Sequence, residues 1–102
     1  MSRTTIVAGL ALLGMLHVAS AFAGCESPVE PASFPDPATA SGPEMVSAQQ
    51  NVKQYLSGME ARLKCLEAAR DTDRYNDSIS QMQKVASKFN AVVRAYKARQ
   101  SG

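Results

Sequence analysis

Tyr75-Asn76-Asp77-Ser78-Ile79-Ser80-Gln81-Met82-Gln83-Lys84-Val85-Ala86-Ser87-Lys88-Phe89-Asn90-Ala91-Val92-Val93-Arg94-Ala95-Tyr96 places apolar residues at alternating steps of four and three: Tyr75, Ile79, Met82, Ala86, Phe89, Val93 and Tyr96. That alternation is the heptad seam of a helix that packs against another helix. No other segment of the chain has so regular a pattern, and the remaining segments can be placed relative to it.

The partner stripe lies upstream in the same chain. Met45, Ala48, Val52, Leu56, Met59, Leu63 and Leu66 recur at helical spacing, with Tyr55 on the flank. Ser41-Gly42-Pro43-Glu44 supplies a capping box for this helix, with Ser41 at the cap and Glu44 three residues on. The first helix is expected over about 44–70. Asp71-Thr72-Asp73 then interrupts the phase with three residues that cap and turn. The second helix is expected over about 73–99. The alternative is one continuous helix over 44–99, because the break holds neither glycine nor proline. A short connection between two long stripes makes the helices antiparallel neighbours. The fold class expected is therefore all-α: an antiparallel two-helix hairpin over 44–100, coiled-coil-like, with an extended N-terminal tail.

That tail is residues 24–43. It holds all five prolines, Pro28, Pro31, Pro35, Pro37 and Pro43. Proline fixes φ and removes a donor, so the segment is expected to be extended and polyproline-like. Glu26, Glu30 and Asp36 make it acidic.

The first 23 residues read as a secretory signal peptide. Arg3 gives the positive start, Ile6 to Val18 an apolar core, and Ala19-Ser20-Ala21-Phe22-Ala23 a small-residue end with two Ala-x-Ala sites. The apolar core is too short to anchor stably across a bilayer of roughly 30 Å. Cleavage after Ala23 removes Arg3 and the lone histidine, His17, and leaves ten basic against nine acidic side chains. So balanced a charge gives no reason to expect a nucleic-acid partner. The expected location is the periplasm or the exterior.

Cys25 and Cys65 admit two readings. In the first they form a disulfide, which export permits. The tail from Pro43 back to Cys25 spans up to roughly 56 Å as polyproline, while the helix from Pro43 to Cys65 is only about 33 Å long. The tail can thus fold back along the first helix and reach Cys65. Val29 and Phe34 are then expected to pack between the helices. In the second reading, Phe22-Ala23-Gly24-Cys25 approximates a bacterial lipobox and Cys25 carries lipid, giving an outer-membrane lipoprotein with Cys65 left over. Membrane attachment is expected only in this second case.

Little catalytic chemistry is on offer in the mature chain. Without His17 there is no histidine for a catalytic triad, and two cysteines alone make no structural zinc site. Asp71, Asp73 and Asp77 cluster at a turn and helix start, where capping and dipole neutralisation explain them. No enzyme activity, cofactor or metal is expected. The charge pattern is more informative. Beyond Asp77 there is no acidic residue, while Lys84, Lys88, Arg94, Lys97 and Arg99 follow as a candidate basic interaction face. The acidic tail is a second, internal candidate to neutralise that end.

The order Cys25-x-x-Pro28, a Pro-rich segment, Glu44-Met45, Ala48-Gln49, Val52, Tyr55, Cys65-Leu66, Phe89-Asn90 and Lys97 resembles a group of small exported proteobacterial proteins of uncharacterised function. The resemblance covers essentially the whole mature chain. It implies a secreted helical hairpin with a tail and adds no catalytic or binding position. The role expected is structural or interaction-based in the cell envelope, with a homodimer or an envelope protein as the candidate partner.

Overall fold

The computed structural model describes residues 25–101; the leader assigned to residues 1–23 lies outside the described residues. Two helices, α1 (Gly42–Ala68) and α2 (Thr72–Ser101), pack against each other as a hairpin. The start of α1 follows from its cap. Ser41 Oγ accepts from the Glu44 amide at 3.3 Å, and Glu44 Oε1 accepts from the Ser41 amide at 3.3 Å. Those reciprocal bonds satisfy two backbone donors that the first turn would leave unpaired.

The break between the helices is a real turn, so the single-helix alternative falls. Arg70 takes a left-handed backbone, φ 57°. Its amide donates to the Glu67 carbonyl at 3.0 Å, and the Asp71 amide donates to Leu66 at 2.9 Å. This pair of bonds is a Schellman closure, which normally uses glycine at the left-handed position. Arginine there costs about 1 kcal/mol in Cβ crowding. Asp71 then starts α2 as well. Its Oδ1 accepts from the Arg74 amide at 3.2 Å, and its Oδ2 lies 3.4 Å from Arg74 Nε. One aspartate thus closes α1 and caps α2, which allows so short a connection.

The core holds Ala48, Val52, Tyr55, Met59, Val85 and Phe89, with Phe34, Leu56, Met82 and Val93 packed around it. Burial is not centred where the heptad seam predicts. On α2 the buried line is Ser78, Val85 and Phe89, whereas Tyr75, Ile79, Met82, Ala86, Val93 and Tyr96 are half-buried. At 100° per residue the buried line is turned by roughly 50° from the seam. On α1 the flanking Tyr55 is buried, at 4 % exposure, while Leu56 and Leu63 are half-buried. Both helices turn their best-buried side toward the flank on which the N-terminal segment lies. A two-layer seam has become the middle of three layers.

Candidate functional site

The third layer is residues 25–41, a strap laid back along α1. Cys25 and Cys65 are disulfide-bonded, with Cα atoms 5.5 Å apart and 40 residues of separation. The disulfide reading of the cysteine pair is the one that the geometry adopts. Arg62, one helical turn before Cys65, works beside it: its Nε donates to Ser78 Oγ at 3.1 Å, and its Nη1 donates to the Cys25 carbonyl. Ser78 is only 1 % exposed, so this bond satisfies a hydroxyl otherwise buried on the α2 face. A single guanidinium therefore joins strap, α1 and α2.

Gly58 explains the next contact. Glycine inside a helix costs about 1 kcal/mol relative to alanine. A Cβ at Gly58 would lie 3.0 Å from Pro28 Cβ and 3.1 Å from Pro28 Cγ. The missing side chain is the notch that lets the strap lie directly on the helix. Beyond it the strap passes Tyr55. Burial, and then the negative charge of Glu30, push the Tyr55 phenol above its ordinary value.

Val29 departs from expectation. It is 92 % exposed and packs into no groove. Its neighbours are the reason: Pro28 faces Gly58, and alternation along an extended chain turns the next side chain outward. Phe34 does pack as expected, its ring 6.0 Å from that of Phe89.

The strap is extended only as far as Pro35. Asp36 opens a tight turn: its Oδ1 accepts from the Ala38 amide at 2.9 Å, and its carbonyl accepts from Thr39 at 3.1 Å and Ala40 at 2.8 Å. This corrects the polyproline expectation for the whole of 24–43. The signal for it is Asp36-Pro37, a capping residue followed by the proline that suits a first helical position. The turn is the elbow where the strap reverses into α1.

Arg99 holds the elbow. Its Nη1 donates to the Ala38 carbonyl at 2.8 Å and its Nη2 to the Ala40 carbonyl at 2.6 Å, while its guanidinium carbon lies 5.1 Å from the centre of the Tyr96 ring. Of the five residues of the candidate basic face, Arg99 is therefore engaged inside the fold, and on carbonyls rather than on the acidic side chains of the tail. Lys84, Lys88, Arg94 and Lys97 are exposed. They do not share one face. At 100° per residue Lys84 and Lys88 lie on the same side as Arg99, with Arg94 and Lys97 roughly 140° around the helix from that group.

Two open clefts line the strap's contact with α1. One, of about 420 Å³, is bounded by Pro31, Phe34, Pro43, Glu44, Ser47 and Asn51. The other, of about 450 Å³, is bounded by Pro28, Glu30, Pro31, Asn51, Gln54 and Tyr55. A third, of about 250 Å³, includes Met45, Val46, Phe89, Val93, Tyr96 and Lys97. Among the described residues no group of three or more His, Cys, Asp or Glu is placed to hold a metal ion, and no helix is long and apolar enough to cross a membrane. Gly58, Arg62, Ser78 and the elbow are the parts of this site that the stripe pattern does not point to. No family model, curated protein or solved structure matches the chain.

Proposed function

We propose that this protein is a non-enzymatic component of the cell envelope, exported to the periplasm, which acts by docking against another protein surface. The Cys25–Cys65 cross-link carries the reading. Disulfides form and persist in oxidising compartments, and the leader before Cys25 has the order of charge, apolar core and small residues that directs export. Lipid attachment at Cys25 is the competing reading, and it needs the same sulfur that the cross-link uses.

The half-covered flank of the hairpin supports a docking role. Leu56 and Leu63 on α1, and Ile79, Ala86 and Val93 on α2, stay half-buried on the side away from the strap. An amphipathic helix pair gains by covering such a line, either with a second copy or with an envelope protein. Intact-mass measurement on the mature protein tests the location. A chain starting at Gly24 and two hydrogens lighter than its reduced form supports export with a cross-link; a diacylglyceryl group on Cys25 overturns it. Sedimentation of the oxidised mature chain at rising concentration separates the two partners: a dimer assigns the flank to self-association.

A further inference from the structure

Two unlike sets of bonds fasten the strap, and they divide it in two. From Phe34 to Ser41 it is held by the Phe89 ring, by the Asp36 turn and by the two hydrogen bonds from Arg99. Over residues 25–33, among the described residues, no backbone-to-backbone hydrogen bond is made. This half rests on the cross-link, on the Arg62 bond to the Cys25 carbonyl and on Pro28 against Gly58. Glu26, Ser27, Val29, Glu30, Ala32 and Ser33 are exposed.

The cross-link itself is open to attack. Cys25 and Cys65 are each half-buried, so the bond is not sealed in the core. Arg62 stands one turn from Cys65 and is hydrogen-bonded to Cys25. A cation beside a cysteine favours its thiolate, and a stabilised thiolate is a better leaving group in disulfide exchange.

We propose that Cys25–Cys65 is a redox latch, and that a dithiol reductant opens it to free residues 25–33 while both helices and the Phe34–Ser41 half stay in place. One thiolate of the reductant attacks a cysteine sulfur. A mixed disulfide forms and the other cysteine leaves as a thiolate. The second thiol of the reductant, deprotonated, then displaces the first cysteine. The reductant ends as a disulfide, two electrons pass to the cysteine pair, and the two protons given up by the dithiol end on Cys25 and Cys65. Once the covalent bond is gone, the Arg62 hydrogen bond and the contacts of Pro28 and Pro31 along Gly58 and Tyr55 must hold nine residues against the backbone entropy of the free chain. They are too few. Release uncovers the Gly58 notch, Tyr55, the Arg62 guanidinium and the Cys65 thiol on a single flank of α1.

Three samples test this: the oxidised protein, the same protein after dithiothreitol, and the Cys25→Ser/Cys65→Ser variant. Each is digested with a glutamate-specific protease, cleavage at Glu26 is followed by mass spectrometry, and helix content is followed by far-ultraviolet circular dichroism. We expect cleavage at Glu26, which is followed by Ser27, to rise at least tenfold on reduction, with the helical signal kept and Glu60 and Glu67 uncut. The serine variant should match the reduced protein. Loss of the helical signal would show that the cross-link holds the whole fold and not only the strap, and unchanged cleavage would show that the strap stays down without it. Either outcome overturns the latch.

Discussion

The two halves of the strap use opposite means to the same end. The half that begins at Cys25 depends on one covalent bond, a notch and the Arg62 bond to the Cys25 carbonyl, and among the described residues its backbone makes no backbone-to-backbone hydrogen bond. The half that ends at Ser41 uses no covalent bond. It is fixed by an aromatic contact, a local turn and a charged clamp. The contrast shows how a small domain can be stapled in proportion to its local core. Where α1 and α2 offer Phe89 and Arg99, weak bonds suffice. Near Cys65 the flank offers a bare glycine, so a cross-link supplies the missing hold.

Removing both cysteines should produce the largest effect. For a separation of 40 residues the chain-entropy cost is about 4 kcal/mol, read as a lower urea midpoint for Cys25→Ser/Cys65→Ser. Helix should survive at 25 °C; a fully unfolded variant would make the two halves one cooperative unit. Phe89→Ala comes next, at about 3 kcal/mol, because it empties the core and strips Phe34 of its contact. An unchanged melting temperature with lost association would assign Phe89 to an interface instead.

Arg99→Met keeps the aliphatic stem and deletes both carbonyl bonds. About 1.5 kcal/mol is expected for hydrogen bonds from a charged donor that solvent partly reaches. Cleavage by an aspartate-specific protease at Asp36 should rise while glutamate-specific cleavage at Glu26 does not; a parallel rise at both would merge the halves. Gly58→Ala carries a sign. Alanine gains about 1 kcal/mol in helix propensity, but in the oxidised protein its Cβ presses on Pro28. The substitution should therefore stabilise the cysteine-free chain more than the cross-linked one. Equal gains in the two backgrounds would mean that the notch does not position the strap.

The smallest effect is alkaline. The folded phenol of Tyr55 holds its proton more tightly than the unfolded one, so its contribution is full below the ordinary tyrosine value of 10.0 and is lost as pH rises through and beyond it. Stability measured by urea between pH 9 and 11, windows chosen around that value, should fall more steeply for the native chain than for Tyr55→Phe. Opening the latch should shrink the difference, since Glu30 lies in the strap's first half, while the packing of Tyr55 among Val52, Met59 and Val85 persists.

Much of this was legible in residue order. The heptad steps from Tyr75 to Tyr96 and the stripe from Met45 to Leu66 read directly as two helices, and Ser41-x-x-Glu44 marked a helix start that the structure confirms. The cysteine pair was readable only as two alternatives. Ser78 was invisible because a polar residue one position off a seam reads as solvent-facing. Arg70 was invisible because the left-handed position of a helix end normally announces itself as glycine. Gly58 carried no local signal, since the proline it accommodates is thirty positions earlier in the chain.

The sequence by itself determined what local spacing and capping can determine: two helical stripes, an interruption of phase between them, and an N-terminal segment rich in proline. Periodicity encodes which side of a helix is apolar, because neighbours three and four residues apart share a face. Tertiary structure decided which part of that apolar side is truly buried, where the strap rests and which arginine is engaged. Those outcomes depend on contacts between residues far apart in the chain, Cys25 with Cys65, Phe34 with Phe89 and Ala40 with Arg99. No local pattern carries that information, since each contact is set by the path of a third layer over the other two.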